Sequence, residues 1–79
     1  MPDPLRLAHL TDQRDAAAQS ATWLAKIARS EAIRAELLLD AGFPEVACAT
    51  ALSAARAAVV ARSHAEAAER LAGLMREVG

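Results

Sequence analysis

Between Val46 and Ala61 the chain carries a single formal charge, Arg56; every other position is Ala, Val, Leu, Cys or a small hydroxyl residue. A helix that is apolar all round is ordinarily buried all round. The whole chain has 79 residues, which leaves few other helices to do the burying. Either the back face of this helix stays bare or a second chain covers it. The run is introduced by Gly42-Phe43-Pro44-Glu45, and that tetrapeptide fixes the turn. Gly42 stands where a glycine ends one helix, and Pro44 where the next can begin without losing a hydrogen bond. A tight helical hairpin around Gly42 and Pro44 is predicted.

Alanine occupies 22 positions, beside one Trp, one Phe and no Tyr. Alanine is the best helix former and buries little area per residue, so the helices should be secure and the core thin. One domain of 8.3 kDa leaves a large share of its apolar surface exposed. Stability beyond a few kcal/mol then calls for a staple or a partner. Cys48 is the only cysteine, so no intrachain disulfide is available, and nothing has the spacing of a zinc site. No metal or other cofactor is expected. The N-terminus, Met1-Pro2-Asp3-Pro4, lacks the basic and apolar regions of a secretory signal. The longest apolar run is alanine-rich and interrupted by Arg56, which argues against a membrane span. The reading is a soluble cytoplasmic protein. A net charge of −1 with both signs mixed offers no broad electrostatic footprint for nucleic acid.

Asp3 before Pro4 suits an N-cap and first helical residue, so residues 1–10 read as a short helix. The alternation of Leu5, Leu7 and His9 equally suits an extended arm. Thr11 with Asp12 and Asp15 resembles a second helix start, a hydroxyl cap followed by carboxylates that favour the helix dipole. A helix over 12–41 would be roughly 45 Å long, and a break near Ser20 to Thr22 or at Ser30 would shorten it. Projected at 100° per residue, Leu24, Ile27, Ala28, Ala32, Ala35, Leu38 and Leu39 share a face, Ile33 and Leu37 lie nearly opposite, and Trp23 lies between. In the helix over 44–61, Cys48, Ala51, Leu52, Ala55, Ala58 and Val59 form the stripe expected against the first helix. Ala49, Thr50, Ser53, Ala57 and Val60 form the other side. Ser63-His64-Ala65-Glu66 matches a capping box, and the following stripe of Ala67, Ala68, Leu71, Leu74, Met75 and Val78 changes phase there. A boundary at Arg62–Ser63 and a last helix over 64–78 follow, with Gly73 weakening its end. The expected fold is a single all-α domain over 1–79, a small antiparallel bundle of three helices, or four with the N-terminal one.

Several residues could carry chemistry. His64, in the first turn of the expected last helix, would need a nucleophile or carboxylate beside it to act as a base, and Ser63 and Glu66 are already used in capping. His9 and Asp12 have a spacing that could offer two metal ligands on one helix, which a cap at Thr11 would disrupt. Cys48 near a helix start could have an activated thiol, but cysteine commonly serves as a small buried hydrophobe. Arg56 reads either as an anion contact or as a salt-bridge partner of Glu31, Glu36 or a partner chain. Lys26, Arg29 and Arg34, interspersed with Glu31 and Glu36, read as a solvated surface. Ala49, Ser53 and Ala57, four apart, would let another helix approach closely. With Val60, Ile33 and Leu37 they make the expected interface of a homodimer.

The stretch from Trp23-Leu24-Ala25-Lys26 through Ala35-Glu36-Leu37-Leu38-Leu39-Asp40-Ala41-Gly42-Phe43-Pro44-Glu45-Val46-Ala47 to Ala51-Leu52-Ser53-Ala54-Ala55-Arg56-Ala57-Ala58-Val59 resembles the core hairpin of HEPN domains. These are helical bundles of bacteria and archaea, often dimeric. Some are RNases of toxin–antitoxin or defence systems, and others bind nucleotides or RNA beside nucleotidyltransferases. HEPN nucleases carry an Arg and a His with four to six residues between them; here seven residues separate Arg56 from His64, and one separates Arg62 from it. The resemblance therefore implies a noncatalytic, self-associating module that binds another protein, as a HEPN-like accessory or antitoxin-like partner. A small HEPN-type RNase using Arg56 and His64 across a dimer is the alternative. The turn is also similar to that of tetratricopeptide hairpins, which would imply a monomeric peptide binder.

Overall fold

The computed structural model describes residues 3–78. They form two helices, α1 (Pro4–Asp40) and α2 (Pro44–Val78), joined by a three-residue turn. The expected bundle of three or four helices is not formed: all-α holds, but the fold is one long antiparallel hairpin. Its Cα envelope measures 63 × 12 × 12 Å and its radius of gyration is 17.7 Å. A compact chain of this length would have a radius near 12 Å. Of the expected arm over 1–10, Met1 and Pro2 lie outside the described residues.

The cap at Asp3 forms, its Oδ1 accepting from the backbone N–H of Leu5 at 3.1 Å and Arg6 at 3.2 Å. The helix it starts does not stop at Thr11. Thr11 is no cap, because its hydroxyl donates back to the Leu7 carbonyl at 2.8 Å. Thr22 and Thr50 do the same to Ala18 and Val46. Satisfied in this way, a mid-helix hydroxyl does not compete for the backbone, and α1 runs without a break through Ser20 to Thr22 and Ser30. At the far end the Phe43 N–H donates to the Leu38 carbonyl and the Gly42 N–H to that of Leu39. With Gly42 at φ +90°, this is a Schellman closure. Pro44 and Glu45 then open α2 with no lost donor and a carboxylate near the dipole's positive end.

Why α2 runs through Ser63 is clear from the side it turns inward. The buried and half-buried positions of α2 are Ala47, Thr50, Ala54, Ala57, Ala61, His64, Ala68, Leu71, Met75 and Val78, a few flanking residues aside. Their spacing alternates three and four without a slip to the end of the helix, as in a coiled coil. On α1 the matching series is Leu7, Leu10, Arg14, Ala17, Ala21, Leu24, Ala28, Glu31, Ala35 and Leu38. The stripe expected against α1, from Cys48 to Val59, is instead exposed at all six of its positions. The change of phase at Arg62–Ser63 arose from taking that outer stripe as the inner one. Once the alanine stripe is the seam, it continues in phase across Ser63-His64-Ala65-Glu66, and the capping-box sequence lies inside a helix.

The seam is thin. Leu10, Ala35, Ala47, Ala54 and Ala61 are buried, and no side chain among the described residues is fully enclosed.

Two substitutions test this architecture. Nothing lies within 4 Å of where a Cβ on Gly42 would stand, so Gly42→Ala is expected to cost only backbone strain, about 1–2 kcal/mol for a non-glycine residue at positive φ, measured by chemical denaturation. His64→Pro is expected to cost about 3 kcal/mol or more, as proline does within a helix. Little change in the helical circular dichroism melt would instead place a helix start at residue 64, where proline is tolerated.

Candidate functional site

Because α1 touches α2 along one stripe only, the remaining apolar surface of α2 faces outward. Leu52 and Val59 are 57% and 64% exposed, and Cys48 is exposed beside them. Leu52, Ala55, Arg56, Val59 and Val60 line a shallow patch on the back of α2. A second shallow groove lies between the helices near the turn, floored by Ala35, Ala47 and Ala54 and flanked by Ala32, Leu39, Cys48 and Ala51. Ile33, Leu37, Leu39, Phe43 and Val46 are also exposed. Most of the large exposed apolar side chains thus lie in the half of the hairpin nearest the turn. Leu5 and Leu74 belong to the open end and Trp23 to the middle.

The structure distributes the sequence-derived interface unevenly. Ala57 is half-buried in the seam against α1, so it serves the hairpin itself. Ala49, Ser53, Val60, Ile33 and Leu37 are exposed. In heptad terms Ala49, Ser53, Val60 and Leu37 share one broad side of the hairpin, with Ile33 at its outer edge. The sequence reading missed the stripe of Cys48, Leu52, Ala55 and Val59 as a free surface. It had found the stripe and turned it inward.

No catalytic arrangement is assembled among the described residues. Arg56 is exposed and His64 is half-buried in the seam. They stand eight positions apart, about 12 Å along one helix, so one copy of the chain does not bring them together. Arg56 makes no ion pair; Arg14 with Asp15, at 3.0 Å, is the only one among the described residues. That pair is solvent-exposed and worth no more than about 1 kcal/mol. The salt bridge expected from Arg56 to Glu31 or Glu36 is absent because Arg56 points away from α1. His9 Nε2 lies 3.2 Å from Gln13 Nε2 on the exposed face, one turn on and past Asp12. Lys26, Arg29 and Arg34 are exposed. An 18-residue window of α2 is apolar enough, by length and composition, to cross a membrane, with mean hydropathy 1.2 and 17% of it buried.

No family model, no curated protein and no solved structure matches the chain.

Since Arg56 holds no partner within the hairpin, Arg56→Ala is expected to leave stability within about 0.5 kcal/mol of the parent, as for other surface substitutions. A loss above about 2 kcal/mol in urea denaturation would show that Arg56 is buried and paired in the working form.

Proposed function

We propose that the chain is a noncatalytic helical interaction module that associates with itself and, through what remains exposed, with another protein. One observation carries the reading. The accessible surface of the chain is 5813 Å², whereas a compact monomer of this mass exposes about 4,600 Å². The excess, about 1,200 Å² per chain, is comparable to what each partner buries in a stable protein interface. Most of the large exposed apolar side chains lie in the half nearest the turn, and contiguous exposed apolar surface marks association sites.

A membrane is the other apolar environment such a helix could meet. Against it stands α1, which keeps Arg29, Glu31, Arg34, Glu36 and Asp40 alongside the apolar part of α2. Basic and acidic side chains at a membrane's centre cost about 2.5–3.5 kcal/mol each on insertion scales. Protein contacts in the cytoplasm suit the hairpin better. The resemblance to HEPN hairpins makes an accessory or antitoxin-like role the finer form of this proposal, with a second protein supplying any activity.

Light scattering coupled to size-exclusion chromatography tests the reading. A dimer or larger assembly that persists on dilution into the low micromolar range is expected. A well-folded monomer throughout would contradict self-association.

A further inference from the structure

The outer stripe of α2 reads the same in both directions. Glu45, Cys48, Leu52, Ala55, Val59 and Arg62 follow one another at spacings of three, four, three, four and three, and all six are exposed. The spacing is that of a coiled-coil seam, on the side of α2 away from α1. From it we propose that the stripe pairs with the same stripe of a second copy, the two α2 helices running antiparallel about a two-fold axis between Ser53 and Ala54. This inference rests on the self-association proposed above and specifies its face and direction.

Three features select this occupant. An isologous contact requires a surface complementary to itself, and the stripe is complementary end to end. In the antiparallel register Glu45 meets the partner's Arg62, and symmetry repeats the pair at the other end. A parallel register would set Glu45 against the partner's Glu45 and Arg62 against the partner's Arg62, which is unfavourable. Neither group has an ion-pair partner within the hairpin. In the middle, Leu52 meets the partner's Ala55 and Cys48 meets the partner's Val59, so large side chains face smaller ones. Along one flank Ala51, Ala58 and Ala65 leave room for close approach of the second backbone. The two hairpins then form an assembly with the paired α2 helices inside and the more charged α1 helices outside.

Cysteine cross-linking tests the register. In this arrangement the two copies of Cys48 are offset by about 16 Å along the helices, beyond the reach of a disulfide. The parent chain should therefore resist dimeric cross-linking under mild oxidation. In Val59→Cys the introduced thiol faces the partner's Cys48, and a covalent dimer is expected at least ten times faster than in the control Ala16→Cys, which carries its thiol on exposed α1. A dimer by light scattering in which Val59→Cys cross-links no faster than the control would overturn this face and leave self-association standing. A monomer would overturn both. Charge reversal gives a second readout: Arg62→Glu should raise the dissociation constant about tenfold, and Glu45→Arg with Arg62→Glu should restore it, with circular dichroism confirming the helices. Failure of the double variant to restore dimerisation, with the helices intact, would exclude the antiparallel ion pairs.

Discussion

Alanine at Ala47, Ala54, Ala61 and Ala68 lets α1 and α2 lie side by side with very little between them, and the rest of the structure follows from that contact. Two Cα cylinders of about 2.3 Å radius fit a 12 Å cross-section only when their axes are about 8 Å apart or less, the near end of the usual packing range. Leu10, Leu24 and Leu38 of α1 recur every two heptads and meet a stripe that is alanine at every seventh residue through most of its length. Small side chains along one helix and intermittent large ones along the other make a close, continuous seam. Because the spacing holds over the full length of both helices, neither has a reason to bend back on itself, and the chain extends to 63 Å.

The same economy leaves the molecule unbalanced. A seam of alanines contributes modest hydrophobic free energy, since each alanine removes little apolar area from water. Meanwhile Leu52, Val59, Val60 and Val46, larger and better suited to a core, face outward. A hairpin that uses its smallest residues inside and its larger ones outside has an apolar, exposed surface on the back of α2. Arg56 breaks that surface at its edge and outside the stripe of Cys48, Leu52, Ala55 and Val59, so the stripe itself is interrupted only by the terminal pair of opposite charges. Leu52 and Val59, the largest side chains of that stripe, are 57% and 64% exposed.

The turn was legible from local rules: Gly42, Pro44 and the cap at Asp3 each perform the task their residue type implies. The hairpin and its all-helical character followed. The number of helices was not legible, because Thr11 and Ser63 match helix-start patterns that are equally compatible with a helix interior when a longer-range seam holds the backbone. Nor was the inner face of α2. With apolar residues all round from Val46 to Ala61, periodicity admits two stripes, and size argues for burying Leu52 and Val59. Only the continuation from Ala61 through Ala68 and Leu71 to Met75 separates the two, since it stays in phase with Ala47 and Ala54 and not with Cys48 and Leu52. Ala49, Ser53 and Val60 are exposed, but Thr50 and Ala57, assigned to the same outward side, belong to the seam.

Residue-resolved amide hydrogen exchange through α2 tests the unbroken seam most directly. In a continuous helix the N–H groups of Ser63, His64, Ala65 and Glu66 all donate to carbonyls four residues back, so their protection should match that of Ala57 to Ala61. A helix beginning at residue 64 would leave its first amides without intrahelical partners. Exchange there at least a hundredfold faster than at Ala57 to Ala61 would contradict the account and bring back a chain of shorter helices.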